Sequence, residues 1–373
     1  YLLKAGSYMH YEKTLRKLLM LLLIPLGLFL VFISSRNPAS VESIYSEVLY
    51  PPIGSLLSRI TGVFPFSLAE IIVVSVPVVF VIYTVVFLAR LIPERAHRGL
   101  VFLKYVTTVS VLVSITFFSF IGIWGLNYYR MPFARIVGLD VRPTSIQELE
   151  SLCRDLINRA NALRASVSVD GKGYMDIPGG PRDILKNCYK GYDEIAGQYP
   201  GLSGKYGNPK PVLLSRLMNY TGICGVYFPF TGEANVNISI PDSMLPSTAA
   251  HEMAHQRGFS REDEANYISY LACSHHPDVN YRYSGVLLAL IHSMNALYGS
   301  DPDSSIKLAN GYSEGVRTDL DEINAFWKQY EGPVEDAADK MNNTYLKANN
   351  QTDGVKSYGR MVDLLIAEHR KSK

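Results

Sequence analysis

The sequence predicts a membrane-anchored α+β protein, with three N-terminal transmembrane helices followed by a mostly helical domain that carries a small sheet. Three observations predict it. The first third of the 373-residue chain holds three long apolar stretches. The remainder alternates helical periodicity with Gly/Pro-rich loops and one short β pattern. Within that remainder His251-Glu252-Met253-Ala254-His255 is followed by Glu264.

The apolar stretches are Leu18–Ser34, Ile71–Leu91 and Val106–Leu126. Each approaches the roughly 20 residues that a helix needs to cross a bilayer. The third contains no charge, and the second only Arg90, next to its end. The first has the length of a signal peptide, but Ser34-Ser35-Arg36-Asn37 is a poor cleavage site, and a true span is the better reading. Lys4, Lys13, Arg16 and Lys17 precede the first span, and Arg90, Arg95, Arg98 and Lys104 crowd the link between the second and third. Residues 35–70 hold only Arg36 and Arg59 as basic residues. This bias predicts a cytoplasmic N-terminus and an extracytoplasmic C-terminal part. The expected division is a membrane region over 1–126 and a domain over 127–373, at the cell membrane. Residues 41–64 have an amphipathic pattern broken by Pro51-Pro52, which suits either the outer membrane surface or a loop packed on the domain.

Beyond the spans, Ser145–Ala165 has apolar residues at helical spacing, and 168–182 is a Gly/Pro-rich loop. Arg182–Tyr199 reads as a helix, and Pro211–Met218 as a strand or a helix. Val226-Tyr227-Phe228 reads as a strand, and Glu233–Ile240 alternates polar with apolar residues. Tyr283–Tyr298, Asp319–Tyr345 and Val355–His369 read as helices. Cys153, Cys188, Cys224 and Cys273 lack zinc-finger spacing and are expected to be buried free thiols. With a formal charge of +2 and no basic stripe beyond the spans, nucleic acid is not an expected partner.

The chemistry concentrates at 251–264. On a helix, His251 and His255 leave the same face one turn apart, a spacing that lets two imidazoles reach one Zn²⁺. Glu252 points about 100° away, able to hold a water without being a ligand. Ser247 is a candidate N-cap and Gly258 a helix stop. Ser260-Arg261-Glu262-Asp263 has capping-box form, so a second helix begins near 261. Glu262 and Glu264 are about 200° apart on it and cannot share one metal. Glu264 lies on the face of Ile268 and Leu271, and the inward choice makes Glu264 the third ligand. Glu262 and Asp263 are then first-turn acids favoured by the helix dipole. Asn266 is a candidate to orient a ligand. Tyr283 is the candidate oxyanion donor, ahead of Tyr281, Arg282 and His292.

His251-Glu252-x-x-His255 with a glutamate on the next helix resembles the gluzincin branch of the zincin metallopeptidases. Arg261 stands where metzincins would carry a third histidine. Phe228–Asn235, the His251–Gly258 stretch and Tyr283-Ser284-Gly285 together resemble an uncharacterised bacterial family described as membrane-anchored candidate zinc peptidases. That resemblance covers most of the chain. It implies a zincin-like fold and a metal site for one Zn²⁺, and it gives no substrate; a peptide or protein substrate is what the peptidase reading expects. It also implies that residues 234–240, just before the metal helix, form the open edge strand that pairs with substrate. The expectation is therefore a membrane-tethered zinc peptidase, with Glu252 as base. A cell-surface sensor that cleaves a partner, or a non-catalytic binding domain, are the competing classes. Glu252 argues against the last, and the short cytoplasmic segments against the first.

Overall fold

The computed structural model describes residues 16–371; Lys4, Lys13 and His10 lie outside them. Three helices have the length and apolarity to cross a membrane: Arg16–Arg36, Leu68–Arg90 and Arg95–Ile123. We label the main elements α1 (Leu23–Arg36), α2 (Tyr50–Thr61), α3 (Leu68–Arg90) and α4 (Arg98–Ile123). The spans expose aliphatic side chains around their circumference, and almost nothing of α3 is buried except Ala69. Such a surface suits lipid and not water. Lys17 Nζ donates to Thr108 Oγ1 at 3.5 Å, so the start of the first span lies beside the basic start of α4. Arg16, Lys17, Arg90, Arg95 and Arg98 thus gather at one end of the helices. The other end, at Arg36, Leu68 and Ile123, joins the rest of the chain.

That rest is helical around a three-stranded sheet. Ile146–Arg164 (α5) starts at a capping box between Ser145 and Glu148. The helix expected over 182–199 is two short ones, Gly180–Asn187 (α6) and Tyr189–Ile195 (α7). The strands are β1 (Lys210–Pro211), β2 (Gly225–Phe228) and β3 (Glu233–Val236), in the order β1-β3-β2. β1 runs parallel to β3, and β2 pairs antiparallel with it, Gly225 opposite Val236 and Phe228 opposite Glu233. The edge next to the motif is therefore β2. The expectation that 234–240 forms the open edge is corrected: β3 is central and its four residues are all buried.

Then follow α8 (Leu245–Gln256), α9 (Glu262–Ser274), α10 (Val279–Ser300), α11 (Glu314–Lys328), α12 (Pro333–Ala348) and α13 (Met361–Lys371). The helix read over 319–345 breaks at Gly332-Pro333, because proline cannot continue a helix but starts one well. α8 lies between the sheet on one side and α9 and α10 on the other. One apolar core runs from α5 through α10 to α13, with Leu156, Leu245, Ala249, Leu271, Val286 and Leu290 at its centre. All four cysteines are free, and Cys224 alone of them is not fully buried.

The membrane-side residues pack directly on the motif. Trp124, one residue past α4, donates its indole N–H to the His255 carbonyl at 3.3 Å. The Tyr50 hydroxyl donates to the Gln256 carbonyl at 2.9 Å. Arg130 pairs with buried Glu42 and donates to the Gly258 carbonyl at 3.0 Å. Gly258 has φ +85, and a Cβ there would strike the Tyr50 ring. Glu233 accepts from Lys210 Nζ at 2.7 Å and from the Ala69 N–H at 2.7 Å, placing an anion at the N-terminus of α3. A cut between 126 and 127 runs through this layer.

Candidate metal centre

Leu245 opens α8, with Pro246 in its first turn, so the helix starts two residues before the Ser247 cap expected. Within it His251 and His255 take the same face, ring centroids 4.7 Å apart and edge-on. His255 Nδ1–H donates to the Phe259 carbonyl at 2.7 Å. His251 Nδ1–H donates to Asn266 Oδ1 at 2.7 Å, and Asn266 Nδ2 donates to the Tyr358 carbonyl at 3.2 Å. With both Nδ1 atoms engaged, both Nε2 atoms are free to face a common point.

The carboxylate at that point belongs to Glu262. Its Oε2 lies 3.1 Å from His251 Nε2 and 3.4 Å from His255 Nε2. One ligand atom from each of the three residues lies within 4.8 Å of the others. Glu264 is not there. Its Oε1 accepts from the Phe133 N–H at 2.8 Å and from Arg261 at 2.9 Å. The structure thus brings Glu262, and not the expected Glu264, to the two histidines. The exclusivity of the two glutamates holds; the choice between them inverts. α9 is buried on nearly every face, so an inward face could not be told from its apolar residues. Its N-cap is Arg261, one residue later than the capping-box reading, and Ser260 caps nothing. Glu262 then begins the helix, with its N–H held by Gln351 Oε1 at 3.1 Å. The sequence did carry a signal: Glu262 and Asn266 are a polar i, i+4 pair facing the polar i, i+4 pair His251 and His255.

Electrostatics tie the three together. Burial pushes the His255 imidazolium down, but Glu262, with Glu252 and the Phe259 carbonyl, more than offsets it and holds His255 up at about 9. Burial would raise Glu262, yet the two histidines hold it well below the usual carboxylate range. Two imidazole nitrogens and one carboxylate oxygen in mutual reach, each histidine oriented by a partner, fit a tetrahedral cation that keeps a fourth position open. Glu252 lies beside them, 4% exposed, with Oε2 lacking any partner among the described residues. Burial raises its carboxyl above the ordinary range, while the histidines and the Tyr227 N–H pull it back. Gly225 lies against this carboxylate, where a Cβ would overlap it.

His251, Glu252 and Gly225 open onto a cavity of about 380 Å³, whose walls include Ile223, Leu287, Leu288 and Ile291. Tyr358 and His292 line it as well. Burial holds His292 down at about 4, so it is neutral. Tyr283 does not reach the cavity. Fully buried, it donates to Asp319 at 2.7 Å, so its assignment as oxyanion donor is corrected. Tyr281 donates to the Ile184 carbonyl, and Arg282 to the carbonyls of His276 and Pro277. Of the four candidates only His292 lines the cavity. Tyr358 was missed; it arrives from a segment some hundred residues downstream, and no local pattern announces it.

The sequence profile of a family described as "Protein of unknown function (DUF3810)" matches residues 45–366. The chain belongs to that family. The match takes in Tyr50, Trp124 and Arg130 as well as the His251–Glu262 cluster. No curated protein and no solved structure matches it.

Proposed function

We propose that the protein is a membrane-tethered, zinc-dependent peptidase whose ion is held by His251, His255 and Glu262. The observation that carries this reading is the convergence of two oriented Nε2 atoms and the Glu262 carboxylate beside a buried carboxylate, Glu252, with an unpartnered oxygen. A bound Zn²⁺ supplies a Lewis acid that acidifies water and polarises a carbonyl. Glu252 stands where it accepts the proton of the attacking water and returns it to the leaving amine. Its raised affinity for a proton, a consequence of burial, suits that exchange. Asn266 and the Phe259 carbonyl fix the imidazole tautomers.

The β2 edge suits an extended chain. Asn237 N–H donates to the Cys224 carbonyl at 2.8 Å, which sets the antiparallel alternation. Val226 and Phe228 turn their backbone groups to β3, and Gly225 and Tyr227 turn theirs away. The backbone of Gly225 is thus free to pair with a peptide beside Glu252. The apolar cavity wall would receive a large apolar side chain. Tyr358 and His292 are the groups placed to donate to an oxyanion. The charge bias favours an extracytoplasmic site.

The test is metal analysis of the full chain in lipid nanodiscs together with peptide-library cleavage. The full chain is needed because Trp124 and Tyr50 brace the motif. Zinc bound stoichiometrically, with cleavage by wild type and none by Glu252→Gln, is the expected result. A wild-type chain that binds no zinc sinks the reading.

A further inference from the structure

Residues 41–66 are built inside out. α2 buries Tyr50, Gly54, Ser58 and Thr61, its small and hydroxyl-bearing face. Ser58 Oγ accepts from the Gly207 N–H at 3.1 Å, and Thr61 Oγ1 donates to the Thr231 carbonyl at 3.0 Å. The opposite face presents Ile53, Leu56 and Ile60, the last two 59% and 57% exposed. The preceding segment, Val41–Leu49, buries Val41 and Tyr45 but also turns polar groups inward and apolar ones outward. It buries Glu42 against Arg130 and Ser46 against Asn127, and it exposes Ile44 and Val48. A helix bordering water turns its apolar stripe inward. This one turns it outward.

A second segment repeats the inversion. The short helix Ser215–Asn219 buries Ser215 and Asn219 and exposes Leu217, while Leu213 beside it is 76% exposed. It is fastened to the second span: the N–H groups of Leu213 and Leu214 donate to the Glu70 carboxylate, in the first turn of α3, at 2.9 and 2.7 Å. Both apolar faces are therefore continuous with the membrane helices, α2 ending just before α3 begins and the Leu213 loop bound to its first turn.

We infer that these two segments form a collar immersed in the headgroup and acyl boundary of the bilayer, the occupant of both apolar faces being lipid. The collar does more than anchor. Beyond Tyr220 the chain passes directly into Thr221–Gly225, which wall the cavity beside Glu252. α2 holds the end of the motif helix through Tyr50. The collar thus seats the cavity at the membrane surface, independently of what reaction occurs there. Apolar faces of this size outside a membrane mark an interface or an aggregation liability. Amphipathic helices lying in the interface bury such faces about 5–10 Å deep.

The experiment attaches an environment-sensitive fluorophore to a single introduced cysteine, Leu56→Cys or Leu217→Cys, in the full chain. The chain is held at one copy per nanodisc of phosphatidylcholine and phosphatidylglycerol. The unlabelled-site parent, treated identically, gives the background from native thiols, and Ile306→Cys serves as an exposed apolar control. Collar labels are expected to emit blue-shifted and to lose at least half their intensity to shallow nitroxide-labelled lipids, with Ile306→Cys unaffected. Collar labels that emit as in water and ignore the nitroxides overturn the inference. Shielding that appears only with two chains per disc also overturns it, in favour of a second copy as occupant. Neither readout requires metal or activity, so failure of the peptidase reading would be seen separately.

Discussion

Two buried polar clusters in this domain differ in one respect that separates architecture from chemistry. Around Asp319, every bond is used. Its Oδ2 accepts from Arg164 Nε at 2.5 Å and from Tyr283 at 2.7 Å; its Oδ1 accepts from Arg164 Nη2 and the Met175 N–H. Around His255, the bonds are directed but unfinished. Two imidazoles are oriented by Asn266 and Phe259, Glu262 faces both, and Glu252 keeps a bare oxygen against a cavity. A buried charge with all its partners is paid by the fold alone. One left short of partners and set against a cavity has room for a visitor, which under the proposed function is a cation and a water.

The sharpest way to break the comparison is to exchange the two glutamates of α9. Glu262→Ala should abolish stoichiometric metal binding, an effect beyond the roughly 10–100-fold cost of losing a mere hydrogen-bond partner of a ligand. Glu264→Ala should leave metal content unchanged, because its carboxylate serves Phe133 and Arg261. Metal analysis after dialysis of both variants decides. Loss of metal from Glu264→Ala alone would restore the face argument that the geometry rejects.

Glu252→Gln comes next. The amide keeps the shape and cannot take a proton, so kcat should fall by about 10²–10⁴-fold with zinc retained. Equal activity in the variant would make Glu252 a buried bystander and leave the open cluster without chemistry.

The closed cluster should respond in the other currency. Arg164→Ala strands a buried carboxylate and should cost about 3–5 kcal/mol of stability by denaturant unfolding. Metal content per folded chain should not change. A fall in metal affinity at constant stability would mean that the two clusters communicate.

How much of this was legible follows from range. The three long apolar helices, the helix that begins after Ser145 and the pair His251–His255 are local patterns, and each appears close to where it was expected. The choice between Glu262 and Glu264 needed to know which side of α9 meets α8. A helix buried all round gives no such sign. Tyr358 reaches the cavity through a turn anchored by Asn266, a contact between residues 92 apart. The inversion of α2 was half visible, because its Gly54, Ser58 and Thr61 stripe is a pattern; only the structure says that this stripe, and not the leucines, faces inward.

Tyr283→Phe is the smallest perturbation and the cleanest. It removes one hydroxyl whose partner, Asp319, retains three other donors. A hydrogen bond to a charged group is worth about 1.5–3 kcal/mol, and the remaining donors should hold the loss to the low end of that range. Turnover should match wild type once the variant is assayed well below its unfolding midpoint, because the hydroxyl points away from the cavity. Tyr358→Phe in the same assay supplies the contrast: its ring lies 6.5 Å from that of His251, and its loss should lower kcat while leaving stability nearly unchanged. If Tyr283→Phe instead slowed turnover at unchanged stability, the closed cluster would belong to the site, and the distinction between the two clusters would fail.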